Sequence, residues 1–234
     1  MTEITWKECK NKILRMLLVQ LSAYALLIVA AAVTLPGADP TAPRVVACLT
    51  LVVFLVFWPL RGTMLDRVVT LLFGAASLMF VTVPFPAGKV PSDQTAADGS
   101  TLPWYSWALA MGLLLVMLVV FSFGRQMARE KREHLIRALS HAVTSGVAAL
   151  AVAGWCFLPD LGAMLAKGTV AGTVALIILI VLGLALAVAS TLWVRDADPD
   201  PDIRYPWIGT GLMSVMLMGV TIAATALVLG RIIG

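Results

Sequence analysis

TVAGTVALIILIVLGLALAVASTLW, residues Thr169–Trp193, runs for 25 positions without an Asp, Glu, Lys or Arg. A helix on the surface of a soluble protein keeps a polar face, and this segment has none. In hydrocarbon every backbone N–H and C=O must be bonded within its own segment, and about 20 residues at 1.5 Å each match the bilayer. The stretch therefore reads as a membrane-spanning helix, and it decides the class of the whole chain.

Working outward, the same pattern recurs. Spans are expected at roughly 13–35, 44–60, 68–86, 104–124, 138–158, 169–193 and 208–230. Together they make an all-α, polytopic membrane bundle of seven transmembrane helices in a single integral membrane domain, residues 1–234. The composition agrees: 60% of the 234 residues are hydrophobic and 13% charged, where a soluble domain has about 25% charged. The N-terminal MTEITWKECKNK lacks the short apolar core and small-residue site of a cleavable leader, so the first run is expected to stay as a span. The second span is the shortest. The third is expected to end near Pro84 and Pro86.

Charge then sets direction. Seven spans put the N-terminus and the loops 61–67, 125–137 and 194–207 on one side. Of the 17 Lys and Arg, 13 fall there; Arg44, Lys89, Lys167 and Arg231 fall on the other. By the positive-inside rule the N-terminus is expected in the cytoplasm and the C-terminus outside. Trp58, Trp193 and Trp207 are expected at cytoplasmic span ends and Trp104, Trp107 and Trp155 at external ends, as headgroup-level anchors.

Immediately after the opening stretch comes RDADPDPD, Arg195–Asp202. Four alternating aspartates invite a Ca²⁺ reading. An EF-hand loop, however, needs Gly at its sixth position and Glu at its twelfth. Counted from Asp196 these are Pro201 and Trp207; counted from Asp198 they are Ile203 and Gly209. Pro199 and Pro201 stop the helix, the acids keep the connection in water, and Pro206 starts the next helix. Asp196–Asp202 reads as a solvated loop.

The basic loop RQMAREKREHLIR, residues 125–137, carries Arg125, Arg129, Lys131, Arg132 and Arg137. Such residues beside a membrane attract anionic lipid at about 1 kcal/mol each, so this segment is expected to contact lipid or a soluble partner. Nucleic acid is not expected as a partner, because the net charge of +4 is accounted for by this sorting across the bilayer.

Chemistry inside the membrane is sparse. No acidic or basic residue lies deep in a span; Gln20, scattered Ser and Thr, and His141 remain. A zinc hydrolase needs three ligands and a base. Only His134 and His141 exist, and Cys156 lies about 22 Å of helix from His141. Cys9, Cys48 and Cys156 show no paired spacing. Ser140, His141 and Ser145 are weak polar candidates: Ser140 and His141 point about 100° apart, while Ser145 shares a face with His141. No catalytic, cofactor-binding or metal-binding set is expected.

Small residues at every fourth position mark close helix packing. They are Ser145, Ala149 and Ala153 in the fifth span, Gly168, Gly172, Gly183 and Ala187 around the sixth, and Gly219 and Ala223 in the seventh. The second span lacks such a face and is expected to look at lipid or a partner. Met213 and Met216 read as gap-fillers. The expected function is a non-catalytic subunit or assembly component of a larger membrane complex, associated with other membrane subunits or with itself. A channel or carrier protomer for a neutral or lipidic solute comes second, and an intramembrane enzyme is disfavoured. A bacterial cytoplasmic (inner) membrane is the expected location.

Overall fold

The computed structural model of the chain describes residues 3–35, 38–60, 63–82, 103–128, 135–196 and 203–233, and among them all regular structure is helical. The elements are α1 (Glu3–Ala32), α2 (Thr41–Val56), α3 (Met64–Met79), α4 (Pro103–Met127), α5 (Leu135–Ala151), a 3₁₀ turn (Val152–Phe157), α6 (Leu158–Ala166), α7 (Val170–Asp196) and α8 (Pro206–Ile233). Five segments are long and apolar enough to cross a membrane: Lys10–Ala32, Ser106–Met127, Leu139–Ala166, Val170–Val194 and Pro206–Ile232. The chain has the makings of an integral membrane protein. Helices α2 and α3, at 16 residues each, are about 24 Å long.

Helix α8 is the axis of the bundle and packs against α1, α2, α5, the 3₁₀ turn, α6 and α7. Without a hydrophobic effect between lipid-bathed helices, cohesion depends on close van der Waals approach, which small residues allow. A Cβ on Gly154 would lie 2.0 Å from the carbonyl oxygen of Gly219, and one on Gly219 2.1 Å from that of Ala151. Met213, Val215, Met216 and Ala226 complete a buried face of α8. The small-residue faces of the fifth and seventh spans are thus packing faces. That of the sixth is only partly so: Gly172 packs on Leu165, whereas Gly183 faces open space.

The fifth span does not end before Pro159. Proline has no N–H for the carbonyl four residues back, Trp155. The 3₁₀ turn resolves this, because the Leu158 N–H bonds the Trp155 carbonyl instead and Pro159 sits in the first turn of α6. Helix therefore continues through 158–166, where a loop was expected. It stops at Gly168, whose φ of +67° suits a residue without Cβ. Thr169 then caps α7, its hydroxyl accepting from the Gly172 N–H at 3.1 Å.

Three further expectations change. Helix α2 is two-faced: Ala47, Leu51 and Phe54 are buried against the bundle while Val45, Leu49, Val52 and Val56 are exposed. Leu51 and Phe54 do there what small residues do elsewhere. Helix α3 ends at Met79, with the Phe80 N–H bonded to Ala76, and residues 83–102, including Pro84 and Pro86, lie outside the described part. Trp58, Trp107 and Trp155 are 1%, 2% and 3% exposed, so they are internal struts rather than headgroup anchors.

Candidate functional site

Polar side chains in the bundle gather at its two ends and at one place between them. At one end, Asp39 ahead of α2 accepts from the Thr41 hydroxyl at 2.8 Å and pairs with Arg44. The Thr41 hydroxyl and the Arg44 guanidinium together hold the Asp39 carboxyl below its ordinary pKa. With Thr82, Cys156, Phe157 and Asp160 these residues line a cavity of about 570 Å³.

At the opposite end Arg125, in the last turn of α4, reaches α3. Its guanidinium donates to the Asp66 carboxylate and, at 2.6 Å, to the Thr63 hydroxyl. Thr63 and Asp66 form the capping box of α3: the Thr63 N–H and hydroxyl donate to Asp66 Oδ2 at 2.6 and 2.9 Å. Asp66 precedes the apolar stretch that starts at residue 68. Burial pushes its carboxyl up, but the Thr63 N–H, Arg125 and the Thr63 hydroxyl outweigh burial and hold it below its ordinary value. Arg125 thus ties α4 to α3. Arg129, Lys131 and Arg132 lie outside the described residues, as does the side chain of Arg137. Asp196 ends α7, its side chain not described, and Asp198, Asp200 and Asp202 fall outside.

At that same end Ser140 and His141 line a cavity of about 250 Å³ with Thr144, Trp193, Thr210 and Met213. Ser145 is elsewhere. It is fully buried between α3 and α5, 3.3 Å from the Thr70 hydroxyl, and donates to the Ala142 carbonyl at 3.1 Å. The three weak candidates therefore divide into a cavity pair and a structural serine. Deeper along the α3–α5 contact, Ser77 donates to the Leu150 carbonyl at 2.7 Å and accepts from the Trp107 indole at 3.0 Å. Among the described residues no three of His, Cys, Asp and Glu gather as metal ligands.

Between the ends lies a cleft of about 690 Å³ between α1 and α7, floored by α8 and the 3₁₀ turn. Leu17, Leu21 and Ile28 form one wall, Ile180 and Leu184 the other, and Met218 and Ile222 the floor. Two polar side chains of α1 also line it, Gln20 and Tyr24, one helical turn apart. Gln20 is 3% exposed. Its Oε1 lies 3.3 Å from the Ser190 hydroxyl of α7, while its Nε2 and the Tyr24 hydroxyl have no hydrogen-bond partner. Trp155, whose indole donates to the Val215 carbonyl at 2.9 Å, stacks at a tilt on Tyr24, centroids 5.7 Å apart. In the sequence Gln20 stands out as an intramembrane polar residue. Tyr24 and Ser190 do not, because the pairing with Ser190 bridges 170 positions of chain. A second, smaller cleft of about 420 Å³ separates α7 from α8.

Compared with family models, curated proteins and solved structures, the chain shows no significant match to any of them.

Proposed function

We propose that the chain is a non-catalytic, multi-pass component of a larger membrane assembly. In this reading it crosses a bacterial inner membrane seven times, N-terminus in the cytoplasm and C-terminus outside. The observation that carries it is the setting of α7. This helix is the least buried of the five long apolar ones, and it is flanked by a cleft on each side. A helix held so loosely within its own chain offers surface for other transmembrane helices to complete. The placement of side chains supports the seven-fold alternation. Asp39, Val81 and Asp160 share one end, while Leu60, His141, Trp193 and Thr210 share the other, as alternating spans require. Arg125, which opens the basic segment 125–137, reaches α3 near the second of these ends, and in this reading the segment would face anionic lipid.

Gentle purification tests the reading. Stoichiometric, unrelated membrane subunits are expected to accompany the chain. A lone symmetric oligomer that passes a neutral solute across liposomes would replace it with the carrier reading, which the lateral cleft favours.

A further inference from the structure

The α1–α7 cleft combines three properties that together specify a ligand. It is apolar along its length, its lining includes no charged side chain, and it contains hydrogen-bond donors with nothing to donate to. The first two exclude a molecule whose charged headgroup must enter. The third selects what does.

The number of unmatched donors changes with the orientation of the Gln20 amide, but at least one amide proton stays unmatched in either. As placed, Oε1 faces Ser190 and both amide protons are unmatched. Ser190 has one proton, and the Ala187 carbonyl lies closer to it, at 2.7 Å. With the amide turned over, one N–H would meet the Ser190 oxygen, Oε1 would accept from the nearby Tyr24 hydroxyl, and the second N–H would still lack an acceptor. In the first orientation the Tyr24 hydroxyl, on the same face of α1, adds another donor. Buried polar groups in native proteins are nearly always matched, and an intramembrane exception marks a functional place. What the cleft lacks is an acceptor.

Depth narrows the choice further. Gln20 is seven residues into the span expected from residue 13 and five beyond Arg15, about 10 Å along a hydrocarbon core of about 30 Å. The carbonyls of an ordinary phospholipid are held near the headgroup level, and drawing one to this depth would drag its phosphate into hydrocarbon. An uncharged molecule has no such restraint. The cleft volume of about 690 Å³ lies within the range of about 300–1,000 Å³ usual for ligand pockets. Both donor atoms are buried beneath the apolar wall, so a ligand reaches them only if the Gln20 or Tyr24 side chain changes rotamer.

We propose that the α1–α7 cleft binds an uncharged membrane-soluble molecule with a long apolar chain and a carbonyl oxygen, which accepts hydrogen bonds from Gln20 and Tyr24. Two sources share this chemistry, isoprenoid quinones and neutral glycerides. The subunit reading rests on the exposed face of α7 and on the clefts beside it, whereas this proposal gives the α1–α7 cleft to a lipid, leaving the α7–α8 cleft and the outer face of α7 for other helices.

Binding of defined probes to the full-length protein in detergent, followed by native mass spectrometry, tests it. Decylubiquinone represents the quinones and dioleoylglycerol the glycerides; hexadecane has no acceptor and dioleoylphosphatidylcholine carries a charged headgroup. One equivalent of decylubiquinone, of dioleoylglycerol, or of both is expected to be retained, and the pattern identifies the source. Gln20→Leu with Tyr24→Phe should weaken that binding about tenfold, as loss of two net hydrogen bonds implies, and leave hexadecane unaffected. Tyr24→Phe alone keeps the ring on Trp155 and gives a smaller loss, so the result does not hang on the double variant folding. Equal retention of all four molecules, or identical affinities for wild type and variants, overturns the proposal. So does a photocrosslinker at Leu21 that captures a helix of another protein and no lipid, since the cleft would then be a protein interface.

Discussion

Asp66 shows how a single carboxylate decides the geometry of a helix end. It accepts from the Thr63 backbone, the Thr63 hydroxyl and Arg125, so it caps α3 and anchors α4 at once. Its carboxyl is held below the ordinary range, so the folded state favours the charged form. Such a group contributes stability above its unfolded pKa of about 3.9 and loses it as pH falls through the lower folded value. The thermal midpoint of the purified protein is therefore expected to fall below about pH 4, and Asp66→Asn should flatten that limb. An unchanged acid limb in the variant would assign the loss to other carboxylates. Arg125→Lys should not rescue, because an ammonium cannot reproduce the fork that spans Asp66 and Thr63. Ser77 makes a similar point without charge. It is the acceptor for the buried Trp107 indole and the donor to Leu150, so Ser77→Ala leaves two buried groups unmatched. A cost of about 1–3 kcal/mol is expected in unfolding assays in detergent, and an equally stable variant would mean the pocket admits water.

At the scale of elements, two contacts between α8 and the segment leading into α6 leave no room for a Cβ. The Gly154–Gly219–Ala151 contact brings backbone against backbone, so neither side can yield as a flexible side chain would. Gly154→Ala and Gly219→Ala should each destabilise by about 3 kcal/mol or more, or prevent folding. Gly183→Ala has open space around it and should be neutral or stabilise by up to about 1 kcal/mol through helix propensity. Similar thermal shifts in all three variants would contradict the packing order described here. Helices α7 and α8 are legible from residues alone, since their charge-free runs match the observed elements within a few positions. The α5–α6 segment is not. Pro159 signals a stop locally, and only the 3₁₀ turn, fitted beneath α8 through Gly154, lets the helix pass it. The candidate site is half legible for a similar reason. Gln20 is conspicuous as a polar residue in a span, but its unmatched amide follows from where α7 places Ser190, which no local pattern encodes.

For the whole molecule the governing quantity is the distribution of charge along the bundle axis. Two ion pairs bracket the short helices: Asp39–Arg44 at the start of α2 and Asp66–Arg125 at the start of α3. With only 16 residues between their ends, α2 and α3 offer less apolar length than a core of about 30 Å asks for. The mismatch can be relieved by thinning the bilayer or by snorkelling of flanking side chains, at a modest cost per ångström. In the proposed seven-span reading both routes keep the alternation of ends, and the positive-inside rule would then put the Arg125 end in the cytoplasm. The alternative is that α2 and α3 enter and leave from the same face. That would hold Leu60 short of the far end, yet Pro59 and Leu60 line a cavity with His141 and Trp193. Odd-numbered crossing has a direct consequence: a tag after Met1 and a tag at Gly234 should report opposite compartments. The N-terminal tag should be protected and the C-terminal tag cleaved when protease is added to spheroplasts, whose outer membrane has been opened. Equal protection of both tags would rule out seven crossings, and with them the cytoplasmic placement of the basic segment and of the Asp66–Arg125 clamp.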